Sequence, residues 1–443
     1  MLAAFRKNFD AIRYSLGISM VFNGHPIIFF LRDSLKVVPL GSTFTVVFWA
    51  TGLLLMIPSN IFKPFYKPNI ILFQISLVFW IHSLIYFFYF NSIGKAATDM
   101  AYFAFIFAFY LLILYIPNNY QKILVKVIFW VCMFSNCALV YALMHNPDWH
   151  IGVRASFMFA DAPGHAGNPH TPARNAVIGM IASGVLIWKE KRKLLRIFYY
   201  LSLVFGLALL VLTLAKTSIL SAILMGMVYI ATIFKTKGVK HVMKKVFSFR
   251  TALNLTVISV IFYFVVFHYF NLGNYLTTYN QILVGKFYDL ALTSLNVDVG
   301  KDATVDASAM GRVRSFAYFK EYMTDPFSMI IGQGYKSNFM DVPILEALMN
   351  QGIFGFLFFN SFLLFLFIFS YKEILANRCE IAVFTAYLFI YTIPQMVTNG
   401  RPQDPTYWFL FILMIRFLGI KYSNSEQPFL NFNLHKKRLS TQD

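Results

Sequence analysis

The chain has 443 residues, of which 58% are hydrophobic and 13% are charged, and 51 positions are phenylalanine. A soluble globular chain carries roughly a quarter charged residues, so this composition argues against a soluble domain, and equally against collagen-like, disordered or disulfide-rich chains. The 38 Lys and Arg against 19 Asp and Glu give a formal net charge of +19, which in so hydrophobic a chain indicates an integral membrane protein with basic loops on one side.

Twelve apolar segments are predicted to cross the membrane, since a helix crosses the hydrocarbon core with about 20 apolar residues. The first segment is interrupted by Asn23-Gly24-His25-Pro26, and the sixth is short. In chain order the predicted spans are 12–31, 37–57, 70–90, 98–117, 122–144, 174–188, 195–214, 216–234, 252–270, 351–371, 380–397 and 405–420. The sequence therefore predicts an all-α, polytopic membrane protein.

Two short loops fix the predicted orientation. The 189–196 loop holds five Lys and Arg residues against Glu190 alone, and the 235–250 loop holds six with no acid. Short basic loops stay in the cytoplasm, and with twelve spans both termini lie there too. The loops 145–173 and 271–350 then share the opposite face. The second is long enough to form a helical cap, with short helices expected around 312–324 and 340–350.

The predicted organisation therefore has five parts. These are spans one to five (1–144), a first outer loop (145–173), spans six to nine (174–270), a large outer loop (271–350), and the last three spans with a basic tail (351–443).

Several basic side chains are expected on the outer face, where positive residues are statistically disfavoured. They are Arg154, Arg174, Lys216, Arg312, Arg314 and Arg401. Guanidinium groups bind phosphate through a bidentate fork and keep their charge when partly desolvated, so such a cluster suits a lipid-linked pyrophosphate. Plainer roles stay open: Arg174 and Lys216 as anchors at the membrane surface, Arg312 and Arg314 as solvated loop charges.

The approach to the tenth span combines glycines with carboxylates. Gly332-Gln333-Gly334-Tyr335 precedes Asp341 and Glu346, and Gly352 and Gly355 follow, where they would allow close helix packing. A carboxylate in this mouth is a candidate general base. The alternative makes Asp341 the N-cap of a helix with Glu346 near its first turn.

No metal site is predicted. His165 and His170 have no third ligand nearby, and the three cysteines have no metal-binding spacing. Nucleic acid is excluded as a partner because the chain lacks an extended soluble basic face.

The order of these motifs resembles a known superfamily. The motifs are an outer-loop Arg154 before a Gly/Pro stretch, Arg174-Asn175 at a helix start, Lys216-Thr217-Ser218 at a membrane hairpin, Gly311-Arg312, Asp325-Pro326, Gly332-x-Gly334, and Asp341-x3-Leu345 followed by Gly352-x2-Gly355. The region 150–356 and the twelve-span topology resemble the O-antigen polymerase and O-antigen ligase superfamily of bacterial envelope enzymes. Ligases carry His where this chain has Asp341, which favours the polymerase branch. Many members have Ser-Arg-Gly at the hairpin, and Lys216 lacks the bidentate fork of that arginine.

The resemblance implies a GT-C-like fold and a metal-independent glycosyltransferase of the bacterial inner membrane, with no cofactor. The donor would be a growing glycan on undecaprenyl pyrophosphate, and the acceptor a sugar hydroxyl of a lipid-linked repeat unit at the periplasmic face. A chain-length regulator is a further possible partner. The implied catalytic residues are Asp341, Glu346 and Arg312, and the implied substrate-binding residues are Arg154, Arg174, Lys216, Arg314, Tyr335 and Arg401.

Two alternatives stay open. One is a ligase that transfers glycan to lipid A core. The other is a polysaccharide flippase, which should have pseudo-symmetric halves and charges deep within its spans.

Overall fold

The computed structural model describes residues 2–38, 42–59, 65–90, 96–147, 149–150, 153–157, 168–237, 307–420 and 428–430, together with 281 and 284. Helices make up most of this part, as the sequence predicts. They are α1 (Leu2–Asn23), α2 (His25–Phe29), α3 (Thr43–Met56), α4 (Ile70–Tyr89), α5 (Ala96–Ile113), α6 (Gln121–Met144), α7 (His170–Lys189), α8 (Lys193–Leu212), α9 (Lys216–Lys237), α10 (Ala307–Tyr322), α11 (Pro326–Ile331), α12 (Pro343–Ala376), α13 (Glu380–Gln395) and α14 (Pro405–Phe417). Two short strands, β1 (Phe65–Tyr66) and β2 (Pro428–Leu430), pair antiparallel.

Six of the described helices are long and apolar enough to cross a membrane, which gives the chain the character of a multi-pass membrane protein. They are α4, α5, α6, α8, α9 and α12. A seventh span results if the bent pair at the start of the chain counts as one. The apolar helices α3 and α14 have only 14 and 13 residues. The count of twelve stays a prediction, and the predicted span 252–270 lies outside the described residues.

The first predicted span is broken where its sequence turns polar. The helical segments Phe9–Asn23 and His25–Ser34 meet at an angle of 71°. At the junction, a Cβ on Gly24 would meet the carbonyl oxygen of Met20 at 2.1 Å, so glycine is required for this close approach. Pro26 lies in the first turn of α2, where its missing N–H costs nothing.

Aromatic rings fill the centre of the bundle, which gives the high phenylalanine content a packing role. The ring of Trp408 in α14 stacks on Phe79 of α4 and on Phe362 of α12, with centroids 5.5 and 5.3 Å away. Trp80 lies 4.6 Å from the same indole. Since lipid tails are as apolar as these side chains, close packing rather than transfer from water holds the helices together.

Three buried asparagines join α1, α6 and α7. The Nδ2 of Asn23 donates to the Oδ1 of Asn175, and the Nδ2 of Asn175 donates to the Oδ1 of Asn136, both at 2.7 Å. In membranes such bonds contribute about 0.6 kcal/mol each, but their geometry is specific. They set the register of α7, and so the position of Arg174, which is next to Asn175 in the chain.

Helix α12 is interrupted at Gly352, where φ is +65° and ψ is −169°. Only glycine adopts this conformation readily. The break frees the carbonyls of Met349 and Asn350, which accept hydrogen bonds from the backbone N–H groups of Gln333 and Gly334 at 2.8 and 3.0 Å. The first turns of α12 are thereby tied to the preceding loop.

The predicted role of Gly352 in close helix packing is confirmed, and the partner is α11, which includes Ile330 and Ile331. A Cβ on Gly352 would meet the carbonyl oxygen of Ile330 at 2.2 Å, and a Cβ on Gly332 would meet the Gly352 nitrogen at 2.5 Å. Gly332 and Gly352 therefore allow the backbone of segment 330–332 to approach the backbone of α12 closely. The short helices expected around 312–324 and 340–350 are confirmed, as α10 and the first turns of α12.

Replacement of Gly352 by alanine tests this contact. We expect Gly352→Ala to destabilise the protein by about 3 kcal/mol or more, because it adds a strained backbone conformation to a clash with a carbonyl. Gly226→Ala in α9 is the matched control, since a Cβ there meets no atom within 4 Å. The midpoint of thermal unfolding in detergent measures both variants. Equal midpoints for the two would contradict the proposed contact.

Candidate functional site

One end of the helix bundle, called here the polar end, is formed by segments 153–157, 213–215, 332–342 and 396–404. Hydrogen bonds join these segments to the helices around them. The N–H of Ala155 donates to the carbonyl of Leu212 at 3.0 Å, and the guanidinium of Arg174 donates to the carbonyl of Thr406 at 2.9 Å. The loops predicted to share one face therefore meet at one end.

Glu346, in the first turn of α12, is fully buried and has three partners. Its Oε1 lies 3.3 Å from the Nη1 of Arg401 and accepts from the Nδ2 of Asn350 at 3.3 Å. Its Oε2 accepts from the backbone N–H of Met340 at 3.1 Å. A buried carboxylate needs such partners, because its desolvation costs several kcal/mol. The contacts fix α12 and the loops on either side of the site relative to each other.

A second ion pair extends this arrangement. The Nζ of Lys336 donates to the Oδ1 of Asp99 in the first turn of α5, and it lies 5.3 Å from the centroid of the Tyr335 ring. The carbonyl of Lys336 accepts from the Nη1 of Arg401 at 3.3 Å. Asp99 thus pairs with Lys336, and Glu346 pairs with Arg401. The hydrogen bond from Arg401 to the Lys336 carbonyl joins the two ion pairs.

Sequence reasoning missed Asp99 and Lys336 as parts of the site. Asp99 falls inside the predicted span 98–117, and Lys336 belongs to none of the predicted motifs. The available signal was an acid near the start of an otherwise apolar span, since such residues are rarely without a partner.

Tyr335 is a packing residue of this end. Only 2% of it is exposed, its N–H donates to the carbonyl of Phe90 at 3.0 Å, and its ring contacts Phe87 and Phe103 at 5.3 and 5.8 Å. Burial raises the pKa of Tyr335, so the hydroxyl stays protonated. The predicted direct contact of Tyr335 with substrate therefore receives no support; the ring seats the loop on α4 and α5.

Arg174, at the start of α7, is half-buried and lies beside the ring of Phe22, 5.7 Å from its centroid. Within the described part of the chain it forms no ion pair, and its one hydrogen bond goes to the carbonyl of Thr406. Asp404 is near enough to act on it electrostatically. Because a guanidinium has five N–H groups, Arg174 keeps donors for a further acceptor.

A row of neutral polar groups lies next to Arg174. The hydroxyl of Tyr391 donates to the Oγ of buried Ser218 at 3.1 Å, and the Nε2 of Gln395 lies 3.5 Å from the same oxygen. Tyr391 also interacts electrostatically with Arg174. Tyr391 and Gln395 had no sequence signal, because they sit in a predicted apolar span.

For the remaining predicted site residues, the structure gives a position in the fold but fewer contacts. Asp341 is partly accessible and precedes Val342, which caps α12 with no side-chain hydrogen bond. The alternative role of Asp341 as the N-cap is therefore wrong. Arg154 and Lys216 are half-buried at the polar end. Arg312 and Arg314 lie in α10, and their side chains are outside the described residues.

An apolar groove opens next to the polar end, between α12 and α13, with a volume of about 470 Å³. It begins at Ile344, Met396 and Val397, and it continues along α12 to Phe367. Its lining is almost wholly hydrocarbon, so it suits an apolar chain rather than a sugar. No group of three or more His, Cys, Asp or Glu that could hold a metal occurs among the described residues.

No family model matches this chain, and no curated protein is significantly similar to it. The resemblance to the polymerase–ligase superfamily therefore rests on the sequence motifs alone.

The ion pair between Arg401 and Glu346 can be tested by a double-mutant cycle. We expect Arg401→Ala to destabilise the protein by about 3–5 kcal/mol, because it leaves a buried carboxylate without its cation. Adding Glu346→Gln should restore part of that loss, whereas the exposed Arg192→Ala should change the free energy of unfolding by less than about 0.5 kcal/mol. Denaturant unfolding gives the free energy of unfolding of the wild type, of Arg401→Ala, of Glu346→Gln, of the double variant and of the Arg192→Ala control. Additive effects of the two substitutions would show that the residues do not interact.

Proposed function

We propose that the protein is a polysaccharide repeat-unit polymerase of the bacterial inner membrane. It would transfer a growing glycan from undecaprenyl pyrophosphate to the sugar hydroxyl of an incoming lipid-linked repeat unit. The polar end is the proposed reaction site, at the periplasmic face.

The observation that carries this proposal is the position of Arg174. It is a half-buried guanidinium at the end of an apolar bundle, without an ion pair among the described residues and with N–H groups to spare. In glycosyl transfer from a pyrophosphate, negative charge accumulates on the leaving oxygen as the anomeric bond breaks. A guanidinium placed beforehand stabilises that charge without reorganising water, and it needs no metal to do so.

Arg401 receives a different role from the one that the sequence predicts. Its guanidinium already faces Glu346 and the carbonyl of Lys336, and it covers the ring of Phe339 at 4.9 Å. We assign Arg401 to positioning of the site, and leave phosphate binding to Arg174 together with Arg312, Arg314, Arg154 and Lys216.

The apolar groove between α12 and α13 supports a lipid-linked substrate. A prenyl chain lying in it would emerge beside Ile344 and Met396, next to the loops of the polar end. This placement would bring the pyrophosphate to the level of the membrane surface, where the basic residues are.

Of the two candidate bases, Asp341 is the better one. Glu346 is fully buried, and both of its oxygens accept hydrogen bonds or face Arg401. Asp341 is partly accessible at the polar end and lies within electrostatic range of Tyr407. A general base must reach the hydroxyl proton of the acceptor, so accessibility decides between them.

The flippase alternative is less well supported. The buried acids described at the polar end, Asp99 and Glu346, lie in the first turns of α5 and α12. A carrier that couples transport to ions needs charged groups near the midplane. Charged groups at the ends of helices, rather than midway along them, fit an enzyme better.

Substitution of the proposed phosphate-binding arginines tests the function. We expect Arg174→Ala, and Arg312→Ala with Arg314→Ala, to lower polymer formation about 100-fold or more, as loss of a preorganised donor does. The measurement is a gel of surface polysaccharide from a bacterial strain whose own copy is deleted, with protein level checked by immunoblot. Arg192→Ala, in a basic loop at the other end, should behave as wild type.

The gel also separates the proposed functions. Chains of a single repeat on the core indicate a lost polymerase, and absence of any glycan on the core indicates a lost ligase. Full-length ladders in all the arginine variants would refute the phosphate site.

The role of Asp341 has its own test. We expect Asp341→Asn to reduce polymerisation about 100-fold or more, because the amide cannot take the acceptor proton. The thermal midpoint of the purified variant should stay close to that of wild type, since asparagine keeps the size of the side chain and an oxygen that accepts hydrogen bonds. Near-normal polymer from Asp341→Asn would remove it from the reaction.

A further inference from the structure

A second cavity, called here the slot, lies between α7, α8, α9 and α13, toward the end of the bundle that carries the basic loop 189–196. Its volume is about 350 Å³, and it is separate from the polar end. Its lining includes Val185, Leu203, Met225 and Val383, so its walls are hydrocarbon.

Two glycines hold the slot open. A Cβ on Gly184 or on Gly226 would meet no atom within 4 Å. By contrast, a Cβ on Gly206 in α8 would meet the Cγ of Met180 at 2.8 Å, so a glycine in this helix group can also serve close packing. The slot is therefore a gap in the packing between these helices.

Aromatic residues line one end of the slot. Trp188 and Tyr200 are 40% and 53% exposed, and the rings of Trp188 and Tyr229 lie 5.9 Å apart. Such side chains, with an apolar body and a polar edge, prefer the boundary between lipid tails and head groups. They indicate that the slot opens at this boundary.

The basic loop lies at that opening. Trp188 is followed directly by Lys189, and every Lys and Arg between 189 and 196 is exposed. On α8 the residues Lys193, Arg196, Tyr200 and Leu203 recur at intervals of three and four, which places them on one face of the helix. Along this face of α8, the basic side chains of Lys193 and Arg196 are followed by the Tyr200 hydroxyl and then by Leu203 in the apolar wall of the slot.

We propose that the slot binds one acyl chain of an anionic phospholipid, whose phosphate contacts Lys193 and Arg196. The apolar walls alone would accept any lipid, but Glu190 is the sole acid in the loop, so positive charge dominates the opening. Basic groups beside a gap between membrane helices select anionic head groups. Arg196 also donates two hydrogen bonds to the carbonyl of Glu190, which holds its guanidinium at the loop. This site is independent of the proposed glycosyl transfer.

Native mass spectrometry of the full-length protein in detergent tests the proposal, with phosphatidylglycerol and phosphatidylcholine of matched chains as probes. We expect wild type to bind phosphatidylglycerol about tenfold more tightly. Gly226→Leu, which fills the slot, should weaken that binding about tenfold. Lys193→Gln with Arg196→Gln should lower it to the level of phosphatidylcholine.

The matched control is Lys122→Gln with Lys372→Gln, which removes the same charge from exposed residues that do not line the slot. It should bind phosphatidylglycerol as wild type does. If Gly226→Leu lowers the midpoint of thermal unfolding in the absence of lipid, Gly184→Leu is used in its place to fill the slot. Equal affinity for the two lipids, unchanged binding after the slot is filled, or equal loss in the control would each overturn the proposal.

Discussion

The interruption of α12 at Gly352 is the constraint on which the polar end depends. In an unbroken helix the carbonyls of Met349 and Asn350 would be satisfied internally, and the loop before α12 would have no backbone partners there. Because the hydrogen-bond ladder stops, Gln333 and Gly334 pair with those carbonyls. That pairing delivers Tyr335 and Lys336 to α4 and α5, and the ion pairs of this end depend on where the loop is placed.

The charges at the polar end follow from this placement. Once the loop is fixed, Lys336 meets Asp99, and Arg401 meets both Glu346 and the Lys336 carbonyl. Two acids and two bases so close to the apolar core must be paired, because an unpaired ion there costs several kcal/mol. The formal charges of the four side chains sum to zero, so these residues hold the site together without giving it a net electrostatic field. A net positive field for the proposed anionic substrate has to come from Arg174 and the other basic residues.

Local features of the sequence predicted much of the helical architecture, and long-range contacts account for what it missed. Apolar runs located α4 and α6 closely, because burial in lipid and in protein select the same residues. The predicted span 405–420 is too long, since α14 ends at Phe417 and Gly419 has a φ of +70°. The Asp99–Lys336 pair spans 237 positions, and no local pattern reveals a partner so distant. Likewise, the sequence predicted close helix packing at Gly352, but a glycine alone does not reveal that the helix is also interrupted there.

Loop 189–196 and the polar end handle positive charge in opposite ways, for one physical reason. The exposed residues of loop 189–196 need little compensation, because water and salt screen them. Residues at the polar end are partly desolvated, so Lys336 and Arg401 are matched by acids. Arg174 departs from this rule: it is half-buried, yet within the described residues it forms no ion pair, and Asp404 acts on it only at longer range than its contacts with the Thr406 carbonyl and the Phe22 ring. A desolvated cation without a fixed anion is unfavourable by itself and becomes favourable when an anionic ligand arrives. That energetic imbalance, more than the number of basic residues, supports the proposal that the polar end is a binding site.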